Sequence, residues 1–370
     1  MHELQRSAGG SFHCPVNTTL NCDRDRSILE MDAVVDGVMD SGLVMSSMSS
    51  ATASLRRRRP SSHSERSRSR PASSERRPSE SWAHHQLRKW DLLTWEQLPD
   101  WHQDNPLIRY GYRQVSFNIM DSIRSCLSIH NETMNIWTHL IPALGIVLAQ
   151  STIQDAINKH FPDATTLDRF IFTFNLAAAA ITMTLSASYH TLMNHSYWMC
   201  SICLRVDYSG IIFLILGSFI SGVYVGFYCM PTLQIVYWTM IGVLGISALV
   251  LVLHPQMQGI AYRNTKAMVF TLTALSGFAP IGHGLYLYGW NDMWERSGMP
   301  YWFLEGAFYG VGVLLFATRF PECWKQETFD IIGSSHQLFH ILVVCGASVH
   351  LWGVWDAWNW NYRNAGGCII

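Results

Sequence analysis

Apolar positions divide this chain into two unequal parts. Residues 1 to about 85 hold almost no sustained apolar run, whereas 134 to 358 are dominated by long ones. Seven stretches stand out as candidate membrane spans: 134–153, 170–193, 206–229, 231–253, 267–290, 301–318 and 335–358. A hydrocarbon core about 30 Å thick takes about 20 apolar residues in helical form. Seven such stretches with few interior charges predict an all-α polytopic membrane protein with seven transmembrane helices. They weigh against buried helices in a large soluble protein. The first stretch is the most polar, with Asn135, Thr138 and His139 near its start, and the sixth is short and carries Glu305 near one end.

The segments outside these runs supply the domain organisation. Residues 1–89 form a Ser/Arg-rich tail, with nine arginines between Arg56 and Arg77. Such a tract buries too little apolar area to fold, so disorder is expected. It suits anionic lipid headgroups, phosphorylation or a cytosolic partner, and equally a plain solvated tail. Nucleic acid is not an expected partner, because no aromatic residues are interleaved with the arginines. Over 90–133, Trp90, Trp95, Trp101, Tyr110 and Tyr112 stand among polar residues. That mixture predicts a juxtamembrane segment at headgroup level. Residues 134–358 are the predicted bundle, and 359–370 a short extracytosolic C-terminus.

Charge gives the expected orientation. The chain has 49% hydrophobic residues and a formal net charge of -1 over 370 residues. No signal-peptide pattern occupies the extreme N-terminus, so insertion through the first span is expected. Arg109, Arg113, Arg124, Arg205, Arg263, Lys266, Arg319 and Lys325 fall on the N-terminal side of the spans, against Lys159, Arg169, Arg296 and Arg363 opposite. This bias predicts a cytosolic N-terminus. Sequons at Asn17, Asn131 and Asn194 then face the cytosol and are expected to stay unmodified. The nine cysteines show no disulfide framework, and Cys200-Ser201-Ile202-Cys203 has no second pair to complete a four-thiolate site.

Within the spans, polar residues gather at matching depths. His336 and His340 lie four apart at the start of the seventh stretch, and His190 closes the second. Alternating crossings put all three on one membrane face, where they could share a metal ion. Asp207 opens the third stretch at the same face, and Ser186 precedes His190 by one turn. Three imidazoles plus water make an open tetrahedral zinc site of the hydrolytic kind, with Asp207 as proton acceptor and Ser186 as hydrogen-bond donor. Glu132, Asn135 and His139 form a polar stripe at the first span. Glu132 and Asn135 suit interhelical hydrogen bonding better than ligation, while His139 is a candidate to support a ligand. His254, His283 and His350 read as structural.

Several blocks resemble the progestin and adipoQ receptor family, the adiponectin receptors in particular. They are Leu98-Pro99-Asp100-Trp101 with Asp104-Asn105, Glu132 through Leu140, Ser186 to His190, Asp207-Tyr208-Ser209-Gly210, Ser335 to His340 and Gly366-Gly367-Cys368. The resemblance covers roughly residues 90 to 368. It implies a seven-helix bundle with a cytosolic N-terminus and an intramembrane zinc ion at His190, His336 and His340, with Asp207 near a zinc-bound water. It further implies hydrolysis of ceramide-like lipid amides, an extracellular hormone of adiponectin type, and a link to lipid and energy signalling. The alternatives are a hormone receptor, or a membrane scaffold, in which zinc only fastens helices. The plasma membrane ranks ahead of an endomembrane as its location.

Overall fold

The computed structural model describes residues 90–364, the side chain of Ile260 excepted. The expected tail over 1–89 and the Gly366-Gly367-Cys368 block lie outside these residues. The described residues are mostly helical, with almost no strand. A two-stranded antiparallel sheet, β1 (Leu93–Thr94) with β2 (Tyr110–Tyr112), and α1 (Ile119–Ser125) precede the long helices. These are α2 (Thr133–His160), α3 (Thr166–Leu192), α4 (Tyr197–Gly226), α5 (Pro231–Leu253), α6 (Arg263–Leu275), α7 (Phe278–Arg296), α8 (Met299–Thr318) and α9 (Ser335–Asn364). With α6 and α7 taken together, seven candidate spans result.

The spans match the apolar runs in number and order but differ at their ends. α2 continues to His160, α4 begins at Tyr197 rather than 206, and α9 continues to Asn364. Once a helix leaves the hydrocarbon layer, amphipathic residues such as Trp198 and Arg205 extend it without leaving backbone groups unpaired. The fifth span breaks between Leu275 and Phe278, just before Pro280, and bends again at Gly289, whose φ is 74°. Proline removes a helical donor, and glycine alone tolerates that φ readily.

Small residues let α3 and α4 pack closely. Along α3 and α4, a Cβ placed on Gly217 would lie 2.6 Å from the Ala178 side chain, and Gly210 approaches the Thr182 backbone. Thr182 Oγ1 donates to the Gly210 carbonyl at 2.7 Å. Between helices in lipid, close packing and hydrogen bonds do the work that the hydrophobic effect does in water. Gly217→Leu is therefore expected to cost about 1–3 kcal/mol of bundle stability through overpacking. Thermal unfolding in detergent checks it; an unchanged midpoint would contradict this seam.

Polar hubs fasten the end of the bundle away from residue 133. Asp168 accepts bonds from the Tyr224 hydroxyl at 2.6 Å and the Trp358 indole at 2.6 Å, and it caps its own helix through Thr165. One carboxylate thus joins α3, α4 and α9. At the other end, the aromatic segment before α2 folds rather than merely lying at the interface. Leu93, Leu98, Ile108 and Tyr112 form a small core. That core is tied to the loop before α9, since the Tyr110 amide donates to Asp330 at 3.0 Å and Asn105 Nδ2 donates to Glu322 at 3.2 Å.

Two cysteines depart from the expectation of no disulfides: Cys229, just after α4, and Cys323, in the loop before α9, each take part in a disulfide bond. Cys200 and Cys203 carry free thiols.

Candidate metal centre

His190 sits in the last turn of α3, and His336 and His340 in the first turns of α9. The two helices run so that these ends meet. The three rings form a nearly even triangle, with centroids 5.0, 4.9 and 4.7 Å apart. One ring nitrogen from each lies within 4.8 Å of the others, and His190 Nε2 is 3.2 Å from His336 Nε2. Tetrahedral coordination at ~2.0–2.1 Å separates donor nitrogens by roughly 3.3–3.4 Å. The spacing therefore fits a shared metal ion, and His190 and His340 are almost fully buried.

The other ring nitrogens decide which atoms are free to ligate. His190 Nδ1 is 2.7 Å from Glu132 Oε2, and His340 Nδ1 is 3.1 Å from the Asn135 carbonyl oxygen. A nitrogen facing a carboxylate or carbonyl carries the proton and donates it, which leaves each Nε2 with its lone pair toward the centre. Asn135 Nδ2 in turn donates to Glu132 Oε2 at 2.7 Å. Burial alone would raise the Glu132 carboxyl. The hydrogen bonds from His190 and Asn135, with the Arg113 charge, outweigh it and hold the group well below the usual carboxylate range. Glu132 and the Asn135 backbone thus orient two of the three rings.

Two further residues position the ligand-bearing helix ends. Arg113, 6% exposed, donates to the His190 carbonyl at 2.5 Å, the Thr191 carbonyl at 3.0 Å and Ser125 Oγ at 2.8 Å. It occupies the C-terminus of α3, where a cation answers both the unpaired carbonyls and the helix dipole. Burial lowers it to about 10, so it stays charged at neutral pH. Glu322, 1% exposed, accepts from the Ser335 amide at 2.7 Å and from the Ser335 hydroxyl, capping α9 one residue before His336. The sequence offered Arg113 only as an orienting charge and gave no sign of Glu322. Their partners lie 77 and 13 positions away, beyond any local spacing rule.

Asp207 stands ten residues into α4, because that helix starts at Tyr197 rather than at Asp207. Its carboxylate lies close to the Ser186 side chain and within electrostatic reach of His190. Ser186 and Asp207 therefore form a couple beside the histidines, one turn deeper along α3. His139 adopts an arrangement its spacing did not foretell. Its ring stacks on His340 with centroids 3.8 Å apart and planes 2° apart. Neither of its nitrogens reaches a partner with hydrogen-bond geometry, although the His340 backbone lies close by.

The three histidines read as structural have protein partners. His350 bridges Glu305 at 2.8 Å and Ser221 at 2.9 Å, His283 meets the Tyr237 hydroxyl at 2.9 Å, and His254 caps a short turn. Asn131 and Asn194 are buried, and the Asn194 side chain bonds both Gln114 and Ser122.

Residues 127–351 match the family described as Haemolysin-III related. The chain is 35% identical over 265 residues to the adiponectin receptor protein of Drosophila melanogaster, covering 72% of this chain and 59% of that one. It is 35% identical to a progestin and adipoQ receptor-like protein of Caenorhabditis elegans, over 72% of this chain and 61% of the relative. An ADIPOR-like receptor of Saccharomyces cerevisiae is 34% identical, over 72% of this chain and 84% of its own length. The chain thus spans about three-fifths of the length of the two animal relatives. A bundle of seven candidate spans, a histidine triad joining the second and last of them, and these matches lead to one assignment: the chain is a multi-pass membrane protein belonging to the Haemolysin-III-related, progestin and adipoQ receptor family.

Proposed function

We propose that this protein is a zinc-dependent hydrolase of ceramide-like lipid amides, working within the membrane near its cytosolic face and coupled to a receptor role. The observation that carries the reading is the triad itself, three imidazoles that each bring a ring nitrogen to one centre, with the Asp207 carboxylate within electrostatic reach of His190. His190, His336 and His340 would hold the ion, and three protein ligands leave one position open. A zinc ion bound there supplies Lewis-acid polarisation and lowers the pKa of a coordinated water. Asp207 accepts the proton from the attacking water and returns it to the leaving amine, while Ser186 fixes the carboxylate. Glu132 and Asn135 keep His190 and His340 in the ligating tautomer. The products are a fatty acid and an amine of sphingoid-base type.

The lysine and arginine bias supports a cytosolic N-terminus. The relatives named as receptors support an extracellular ligand of adiponectin type, and the plasma membrane suits such a ligand.

Purified protein in lipid vesicles is expected to release fatty acid from a ceramide, and Asp207→Asn to lower turnover at least 100-fold with zinc retained. Equal turnover in both proteins would overturn the mechanism. A second reading, in which zinc only fastens helices of a receptor, draws on the fact that the triad joins α3 to α9. On that reading Asp207→Asn signals normally, and His336→Ala unfolds the bundle.

A further inference from the structure

The short helix α1 has its two faces arranged in the wrong sense for water. Ile119, Met120 and Ile123 are 47–52% exposed, and the flanking Phe117, Leu127 and Ile129 are 72–86% exposed. The buried side is polar. Ser122 and Ser125 are sealed against the end of α3: Ser122 Oγ donates to Asn194 Oδ1 at 3.0 Å, and Ser125 Oγ accepts from Arg113 at 2.8 Å. Residues three or four apart share a helix face. Ile119 with Ile123 and Ser122 with Ser125 therefore occupy opposite sides. An exposed apolar strip of this kind marks an interface.

The neighbouring elements say what covers it. α1 ends eight positions before α2, the first span, and Leu127 and Ile129 lie in that connection. On α2 itself Ile141 and Leu144 are exposed in turn. On the other side, the Ser116 and Phe117 amides donate to the Asn194 and His195 carbonyls, which holds the entry to α1 against the turn between α3 and α4. Trp198, at the start of α4, is exposed as well. The strip is thus continuous with the lipid-facing surface of two spans. A soluble partner would have to bind within the bilayer boundary to reach it.

We propose that residues 117–129 form an interfacial anchor, whose partner is the acyl boundary of the leaflet at the triad end. Amphipathic segments of this type lie in the membrane plane with the apolar face about 5–10 Å into the boundary between headgroups and chains. The polar side of the anchor carries the Arg113 contact, and Arg113 also holds the His190 carbonyl. Lipid on one side and the α3 terminus on the other fix α1 in place. Lifting α1 from the leaflet loosens the end of the helix that bears a metal ligand, whatever the ion does there.

The test places the fluorescent amino acid Anap at Leu127 of the full-length protein in phosphatidylcholine vesicles. Brominated phosphatidylcholine is expected to quench it, and aqueous iodide to leave it unquenched. Quenching by iodide, or by neither agent, would overturn the anchor; the second result would mean that protein covers the strip. Ile119→Asp with Ile123→Asp puts charge on the exposed face and removes no buried contact. In that variant the probe is expected to become open to iodide, and chelator competition to show metal held about tenfold more weakly. Ile119→Asn is the milder variant should the doubly charged chain not fold, with the same two shifts expected in smaller measure. A probe that stays with the brominated lipid in a folded variant would contradict the role of this face. Unchanged metal affinity once α1 is lifted would contradict its link to His190.

Discussion

Arg113→Met is expected to destabilise the bundle by about 3–5 kcal/mol and to weaken metal binding at the same time. The guanidinium serves three acceptors, the His190 and Thr191 carbonyls and the Ser125 hydroxyl, in a nearly sealed setting. Removing one side of a buried, charge-assisted network leaves the other side desolvated and unpaired. Methionine fills the volume without replacing any of these bonds. The second effect comes through Glu132, which loses the neighbouring positive charge that helps keep it ionised. Its grip on His190 Nδ1 slackens accordingly. Lysine should not rescue the variant, because one ammonium cannot reach three acceptors that a planar fork spans. Thermal unfolding in detergent reads the first effect, and chelator competition the second. Wild-type values in both would show that the α3 terminus needs no cation.

Glu132→Gln isolates the support of the ligand from the stability of the fold. The amide keeps the shape and an acceptor oxygen for His190, but not the charge. Partners of this kind typically contribute 10–100-fold to metal affinity. A weakening in that range is expected, with the unfolding midpoint shifted far less than in Arg113→Met. An affinity equal to wild type would mean that the 2.7 Å contact between Glu132 and His190 does not tune the site.

These two residues also mark how far the sequence could be read. The spans were legible because about 20 consecutive apolar residues have few other uses, and their number and order hold. The triad was legible because four-residue spacing on α9 and the parity of crossings place His190, His336 and His340 at one depth. Span ends were not legible, since interfacial residues carry α4 back to Tyr197 and α9 on to Asn364. Asp207 consequently lies deeper in its helix than its place in the apolar run suggested, within electrostatic reach of His190. Arg113, Glu322 and Asp168 were illegible for a different reason. Each is a lone polar residue whose partners come from distant elements, so only the assembled bundle distinguishes a network hub from a surface charge. The stack of His139 on His340 belongs with them.

The site stands or falls on whether His190, His336 and His340 hold one metal ion in the folded protein. Inductively coupled plasma mass spectrometry of purified wild type, beside His190→Ala and His340→Ala, tests this directly. One equivalent of metal per wild-type chain, lost from both variants while helical content persists, is the expected result. Folded wild-type protein free of metal, or variants that keep a full equivalent, would contradict it.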